Sequence, residues 1–159
     1  MKKTLAHIAK WLGLEQPSSN PLVTGVSINT RTLKPGDLFI PFRGENVNGH
    51  KFVESAFDKG AAAAFWLKDE PNPPKNVPLL FVDSSEAALQ QMARAYREEL
   101  STVFIGITGS NGKTSTKDLI AGMLSPYYRV KKTEGNFNNE LGLPLTILSL
   151  EEDTEYAVL

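Results

Sequence analysis

Cysteine is absent from the 159 residues, which excludes disulfides and thiolate chemistry and removes the usual ligands of structural zinc. Charge of one sign is not in excess either: 17 Lys and Arg stand against 18 Asp and Glu, a net charge of −1 at pH 7. That balance gives no global attraction to nucleic acid or to a membrane surface, so neither is expected as a partner, while local anion sites stay open. No apolar run approaches the roughly 20 residues that a membrane-spanning helix needs. The amino end MKKTLAHIAKWLGL has the positive start of a signal peptide, but His7 and Lys10 interrupt the apolar stretch a signal requires. It reads as a folded helix, and the simplest expectation is a cytoplasmic protein. Internal repeats and low-complexity tracts are missing too. What is present is a 41% apolar fraction, enough to build the core of one ordinary domain or two small ones.

Strand and helix signals alternate through the first hundred or so residues. Leu5, Ile8, Ala9 and Leu12 share a helical face that Thr4 can cap and Gly13 can end. Apolar residues 23–28 predict a strand, and the Lys34-Pro35-Gly36-Asp37 turn leads to a second at residues 38–42. After the Asn48-Gly49 turn, Phe52, Val53, Ala56 and Phe57 repeat with helical spacing up to Gly60. Residues 61–67 and 79–82 predict buried strands on either side of the surface loop PNPPKNVP. Ser84 or Ser85 can cap a helix whose stripe is Leu89, Met92, Ala93, Tyr96 and Leu100. The expected class is α/β: one small domain over residues 1–99, then the start of a second, mostly parallel-sheet domain over residues 100–159. Residues 102–108 are nearly all apolar, as a central strand covered on both faces would be.

The strongest chemical signal is VFIGITGSNGKTSTKDLIAGML, residues 103–124, where a buried strand, a loop of small residues and an amphipathic helix follow without interruption. Gly109 and Gly112 let the backbone curl, so that amide N–H groups can converge on phosphate oxygens at the positive end of the helix beginning near Lys113. Lys113 would reach the β and γ phosphates, and the Thr114 hydroxyl would complete the coordination of Mg²⁺. The general pattern G-x-x-x-x-G-K-[ST] needs glycine at position 107, where Ile107 stands. A plain strand-to-helix turn is the competing reading, but a turn has no use for Gly-Lys-Thr at a helix start.

TGSNGKTS resembles the phosphate loop of the Mur ligase family, T-G-[ST]-N-G-K-[TS], which likewise lacks the first glycine of the general pattern. The stretch Thr133 to Pro144, TEGNFNNELGLP, is similar to G-N-x-N-N-x-[IL]-G-[VL]-P in the branch that adds D-alanyl-D-alanine. Asn29-Thr30-Arg31, Pro35-Gly36-Asp37-Leu38-Phe39 and the segment from Gly44 to His50 are similar to the D-[ST]-R, P-G-D-L-F and G-x-x-x-D-G-H segments of the same ligases. Asn29 and Asn48 depart from it: each stands where an aspartate is usual, removing a negative charge.

The resemblance implies a first domain that holds the uridine nucleotide of a UDP-sugar, and a P-loop domain that holds ATP. Gly109, Ser110, Asn111, Gly112, Lys113, Thr114 and Ser115 would bind ATP, with Lys113 and Thr114 in the catalytic roles and Thr114 on the metal. Thr30, Arg31, Gly44, Glu45 and Asn46 would lie by the UDP moiety, and Asn138 and Asn139 at the junction of substrate and γ-phosphate. The implied activity is ligation of D-alanyl-D-alanine to UDP-N-acetylmuramoyl-tripeptide by way of an acyl phosphate, with ATP and Mg²⁺, in a monomer. Family members continue past Leu159 with an acidic metal ligand, a carbamylated lysine and a third domain, so the chain is expected to be an incomplete, inactive piece. The alternatives are another Mur ligase, such as the one adding the third stem residue, a non-catalytic UDP-sugar-binding module, and a P-loop kinase, for which no acceptor-site signature is seen. Plainer readings stand beside these roles: Arg31 as a solvated turn arginine, the loop asparagines as partners of their own backbone, His7 and His50 as structural residues, and Glu151-Glu152-Asp153 as an exposed turn.

Overall fold

A computed structural model describes residues 1–134 and 139–159. The chain forms two compact units, Met1–Met92 and Ala93–Leu159. In the first, Thr4 Oγ1 accepts the N–H of His7 and opens α1 (Leu5–Trp11), which buries Leu5, Ile8 and Ala9 and ends before Gly13 at φ 66. Two short strands, β1 (Lys3–Thr4) and β2 (Leu22–Val23), pair antiparallel beside it.

The centre of this unit is a four-stranded parallel sheet of β3 (Gly25–Ser27), β4 (Asp37–Phe39), β5 (Ala63–Leu67) and β6 (Leu79–Val82), in that order. All five residues of β5 are buried, as a strand covered on both faces requires. The apolar run at residues 23–28 is not one strand. The chain changes partner at Thr24, whose N–H goes to the Gly36 carbonyl at 2.9 Å, so that β2 belongs to the ribbon and β3 to the sheet. A Cβ on Gly25 would collide with Asp37 Oδ1, which is why the crossing point carries glycine. A single 3₁₀ turn (Gly49–Phe52) and α2 (Val53–Asp58) return the chain from β4 to β5. Phe39, Val53, Ala56, Ala61, Ala64 and Trp66 form the core beneath them.

Ser84 Oγ accepts the N–H of Ala87 and starts α3 (Ser85–Glu99), inside which the division between the two units falls. In the second unit β7 (Val103–Ile105), β9 (Tyr156–Val158) and β8 (Val130–Lys132) make a parallel sheet in the order β7-β9-β8. Among the described residues β7 stands at one side of its sheet, and Val103 is 50% exposed. The helices are α4 (Lys113–Leu124) and α5 (Gly142–Ser149). Tyr96 is fully buried, and its hydroxyl donates to the Leu150 carbonyl at 2.8 Å. No helix among the described residues is long and apolar enough to cross a membrane.

Candidate functional site

Residues 106–112 connect the carboxyl end of β7 to the amino end of α4. Gly112, the N-cap of α4, sits at φ 75 and Gly109 at φ 153. A Cβ on Gly112 would meet nothing within 4 Å, so glycine serves the left-handed backbone there and not a close contact. Thr116 N–H closes the first helical turn on the Gly112 carbonyl at 2.9 Å, and no side chain caps this end. A helix start without a side-chain cap presents amide donors and the positive end of the helix dipole, the arrangement that suits an anion.

Gly109, Ser110, Asn111, Gly112, Lys113, Thr114 and Ser115 are all exposed on this one turn. Lys113 takes part in no ion pair among the described residues. Beside the loop, Ile107 N–H donates to the Leu159 carbonyl and Leu159 N–H to that of Ile105, both at 2.8 Å, so β9 ends level with the start of this turn. The described residues hold no cluster of three or more His, Asp or Glu able to bind a metal. The donors present, an exposed hydroxyl beside a lysine at a helix start, suit a Mg²⁺ that arrives on phosphate oxygens and not one held in a protein cage.

Helix α4 keeps Ile120 and Leu124 half-buried on one side. Its buried residues are Lys117 and Ala121, while Leu119 and Met123 are 65% and 67% exposed. Lys117 Nζ donates to the Thr133 carbonyl at 2.6 Å. Of the asparagines in the following stretch, Asn138 lies outside the described residues. Asn139 Oδ1 accepts the Gly142 N–H at 2.6 Å and so ties down the start of α5, which is the plainer role foreseen for it.

In the first unit the sequence-predicted residues gather at one edge. Strands β3 and β4 are parallel with Ser27 opposite Phe39, so Thr30 and Arg31 leave from the same carboxyl edge as Gly44, Glu45 and Asn46. Ligands of open parallel sheets bind at that edge. Asn29 Oδ1 accepts the Arg31 N–H at 2.9 Å, an Asx turn that an aspartate would make equally well. The Thr30 carbonyl accepts from Lys59 Nζ at 2.8 Å, and the Arg31 side chain is exposed.

The loop at residues 43–48 is closed by the bridge between Arg43 and Asn48 and by Gly44 N–H on the Val47 carbonyl, which leaves Glu45 and Asn46 exposed at its tip. Behind it lies a network that sequence reasoning missed. Arg43 reaches Asp69 Oδ2 at 2.9 Å and Glu70 Oε2 at 2.6 Å; the pairing raises the guanidinium pKa and lowers those of both carboxyls. Asn48 Nδ2 donates to Glu70 Oε1 at 2.8 Å, and Asn48 Oδ1 lies 2.8 Å from His50 Nδ1. Leu67 N–H donates to His50 Nε2 at 3.3 Å, so the proton of the neutral ring is on Nδ1 and both nitrogens are engaged. Burial pushes the His50 pKa below its ordinary value. His50 is thus a buried strut, as expected, although a carboxylate does stand near it: Glu70 comes within 4.0 Å from the end of β5, a proximity with no signal in the sequence.

Two family models match the chain: "Mur ligase family, catalytic domain" over residues 22–97 and "Mur ligase middle domain" over residues 107–159. Among curated proteins, the UDP-N-acetylmuramoyl-tripeptide--D-alanyl-D-alanine ligase of Bacillus subtilis is 50% identical over 100% of this chain and 35% of its own length. The Escherichia coli protein of the same name is 33% identical, over 98% of this chain and 34% of its own length. The chain therefore spans about a third of the curated relatives it matches. Among solved structures, MurF from Acinetobacter baumannii superimposes with a TM-score of 0.84 at 27% identity, covering 100% of this chain and 35% of that one. MurF ligase from Thermotoga maritima in complex with ADP gives 0.73 at 33% identity, covering 86% of this chain and 31% of that one.

Proposed function

The chain belongs to the Mur ligase family, and from that membership we propose that it carries the nucleotide-sugar and phosphate-binding parts of an ATP-dependent ligase joining D-alanyl-D-alanine to UDP-N-acetylmuramoyl-tripeptide. The observation that carries the reading is the turn between β7 and α4. It combines a left-handed Gly112, a helix start without a side-chain cap and an exposed Lys113 beside Thr114. Gly109, Ser110, Asn111, Gly112 and Ser115 would cradle the ATP phosphates, and Lys113 would place its ammonium against the β and γ phosphates. The solved relative in complex with ADP supports a nucleotide as the ligand of this reading.

In this reading the γ-phosphoryl group passes from ATP to the terminal carboxylate of the UDP-linked tripeptide, and ADP leaves. The amine of D-alanyl-D-alanine then attacks the acyl carbon of the resulting acyl phosphate, forming the amide as phosphate departs. Such transfers are governed by alignment and charge neutralisation, which Lys113 and the loop amides supply. A Mg²⁺ held by Thr114 and phosphate oxygens would add further neutralisation. Thr30, Arg31, Gly44, Glu45 and Asn46 would hold the UDP moiety, and Asn138 and Asn139 would line the meeting point of carboxylate and γ-phosphate. The domain division follows the same reading: residues 1–99 for the nucleotide-sugar, residues 100–159 for ATP.

The test is phosphate release by the natural full-length gene product, supplied with ATP, Mg²⁺, UDP-N-acetylmuramoyl-tripeptide and D-alanyl-D-alanine. Omission of any one should stop turnover, and Lys113→Ala should abolish most nucleotide binding. Release with UDP-linked dipeptide and a single amino acid, but not with the dipeptide amine, would move the protein to another branch.

A further inference from the structure

The helix that presents Lys113 and Thr114 carries a buried lysine among the residues that face its sheet. Of the twelve residues of α4 only Lys117 and Ala121 are buried, with Ile120 and Leu124 half-buried, so Lys117 is the one buried polar side chain of the helix. Lys117 lies one turn beyond Lys113 on the same face, yet it is 7% exposed where Lys113 is open. Burying an ammonium is costly unless it is hydrogen-bonded, and leucine or methionine would fill the position without that cost. Lys117 meets the cost with a 2.6 Å bond to the Thr133 carbonyl. Thr133 is 3% exposed and itself pinned, its N–H donating to the Val158 carbonyl of β9 at 3.0 Å. A second α4 contact, Asp118 to Lys132 Nζ at 2.7 Å, joins half-exposed side chains that solvent and salt screen.

We propose that Lys117 is a positioning residue for phosphoryl transfer: its buried ammonium fixes the first turns of α4 against the carboxyl ends of β8 and β9, and thereby aims Lys113 and the Gly112 turn. The inference rests on the ligase reading for its kinetic consequence but not for the clamp itself. A misaim of an ångström at the reacting phosphoryl costs much more in rate than in affinity, because phosphates still find amide donors in the ground state.

In the natural full-length gene product, Lys117→Met should lower kcat by about 10- to 100-fold while the KM for ATP moves by less than about threefold. Lys117→Arg keeps a cation and a donor and should recover a large part of kcat; it also serves if the methionine variant does not fold. Hydrogen exchange at the amides of residues 113–118, with Mg²⁺ and ADP absent and present, reads the clamp without reference to turnover. Faster exchange in Lys117→Met than in the parent, at matched melting temperature, is expected. The proposal is overturned if Lys117→Met folds and keeps kcat within about twofold, or if exchange across α4 is unchanged. A parent protein inactive with all three substrates sinks the ligase reading alone, and the exchange measurement then decides the clamp.

Discussion

His50 is where the first unit should fail most visibly when perturbed. The ring is 5% exposed, takes the Leu67 N–H on Nε2, gives its own N–H to Asn48 Oδ1, and stands edge-on to Trp66 with centroids 4.9 Å apart. Truncation to alanine leaves the Leu67 N–H buried and unpaired, about 1–3 kcal/mol. It also removes an aromatic contact worth about 0.5–1.5 kcal/mol and opens a cavity beside Trp66, so the total is about 3–5 kcal/mol. Both tryptophans, Trp11 and Trp66, lie in the first unit, so their fluorescence during urea unfolding of the 159-residue chain reports on that unit. The pH dependence gives an independent check. His50 has its folded pKa depressed by burial, so its contribution is fully present above the unfolded value of about 6.5 and is lost as pH falls through the folded one. The parent should thus lose stability as pH falls below about 6, whereas His50→Gln, which can accept from Leu67 and donate to Asn48 without titrating, should lose less. A cost below about 1 kcal/mol for His50→Ala, or identical pH profiles for parent and His50→Gln, would refute the strut.

Three further outcomes are expected. Asn48→Asp replaces the amide that donates to Glu70 Oε1 with a second carboxylate; the melting temperature should fall at pH 7.5 and recover as pH drops below about 5, where the pair shares a proton. Gly112→Ala, in a left-handed conformation with open space around the added methyl, should destabilise by about 1 kcal/mol in calorimetry and weaken ADP binding, with Gly112→Asn milder in both. Tyr96→Phe should cost about 1–2 kcal/mol by removing the buried hydroxyl that donates to the Leu150 carbonyl. Burial pushes the Tyr96 pKa up to about 12, so the parent holds this contribution below the unfolded value of about 10 and loses it as pH climbs toward 12, a loss absent from the variant.

What could be read in the sequence was local. Thr4, the Leu5, Ile8 and Ala9 stripe and Gly13 set out α1 within a dozen or so positions, and residues 103–124 form one unbroken strand, turn and helix. What escaped depended on long-range pairing. Nothing near Thr24 announces that the chain will change sheets, because the cause is the approach of Gly36 and Asp37. An amphipathic helix read from the sequence gave no reason to bury Lys117, whose acceptor is 16 positions away.

The two asparagines that depart from the family pattern show the same division from the other side. At Asn29 the structural need is an acceptor for the Arg31 N–H, which amide and carboxylate meet alike, so the charge lost there costs the turn nothing. At Asn48 the need is for an acceptor toward His50 and a donor toward Glu70 at once, and only the amide provides both. The two asparagines thus serve their sites for different reasons. Substitution by aspartate separates the cases: Asn29→Asp should leave the first unit as stable as before, while Asn48→Asp should be rescued by Glu70→Gln, whose amide can donate where a carboxylate repels.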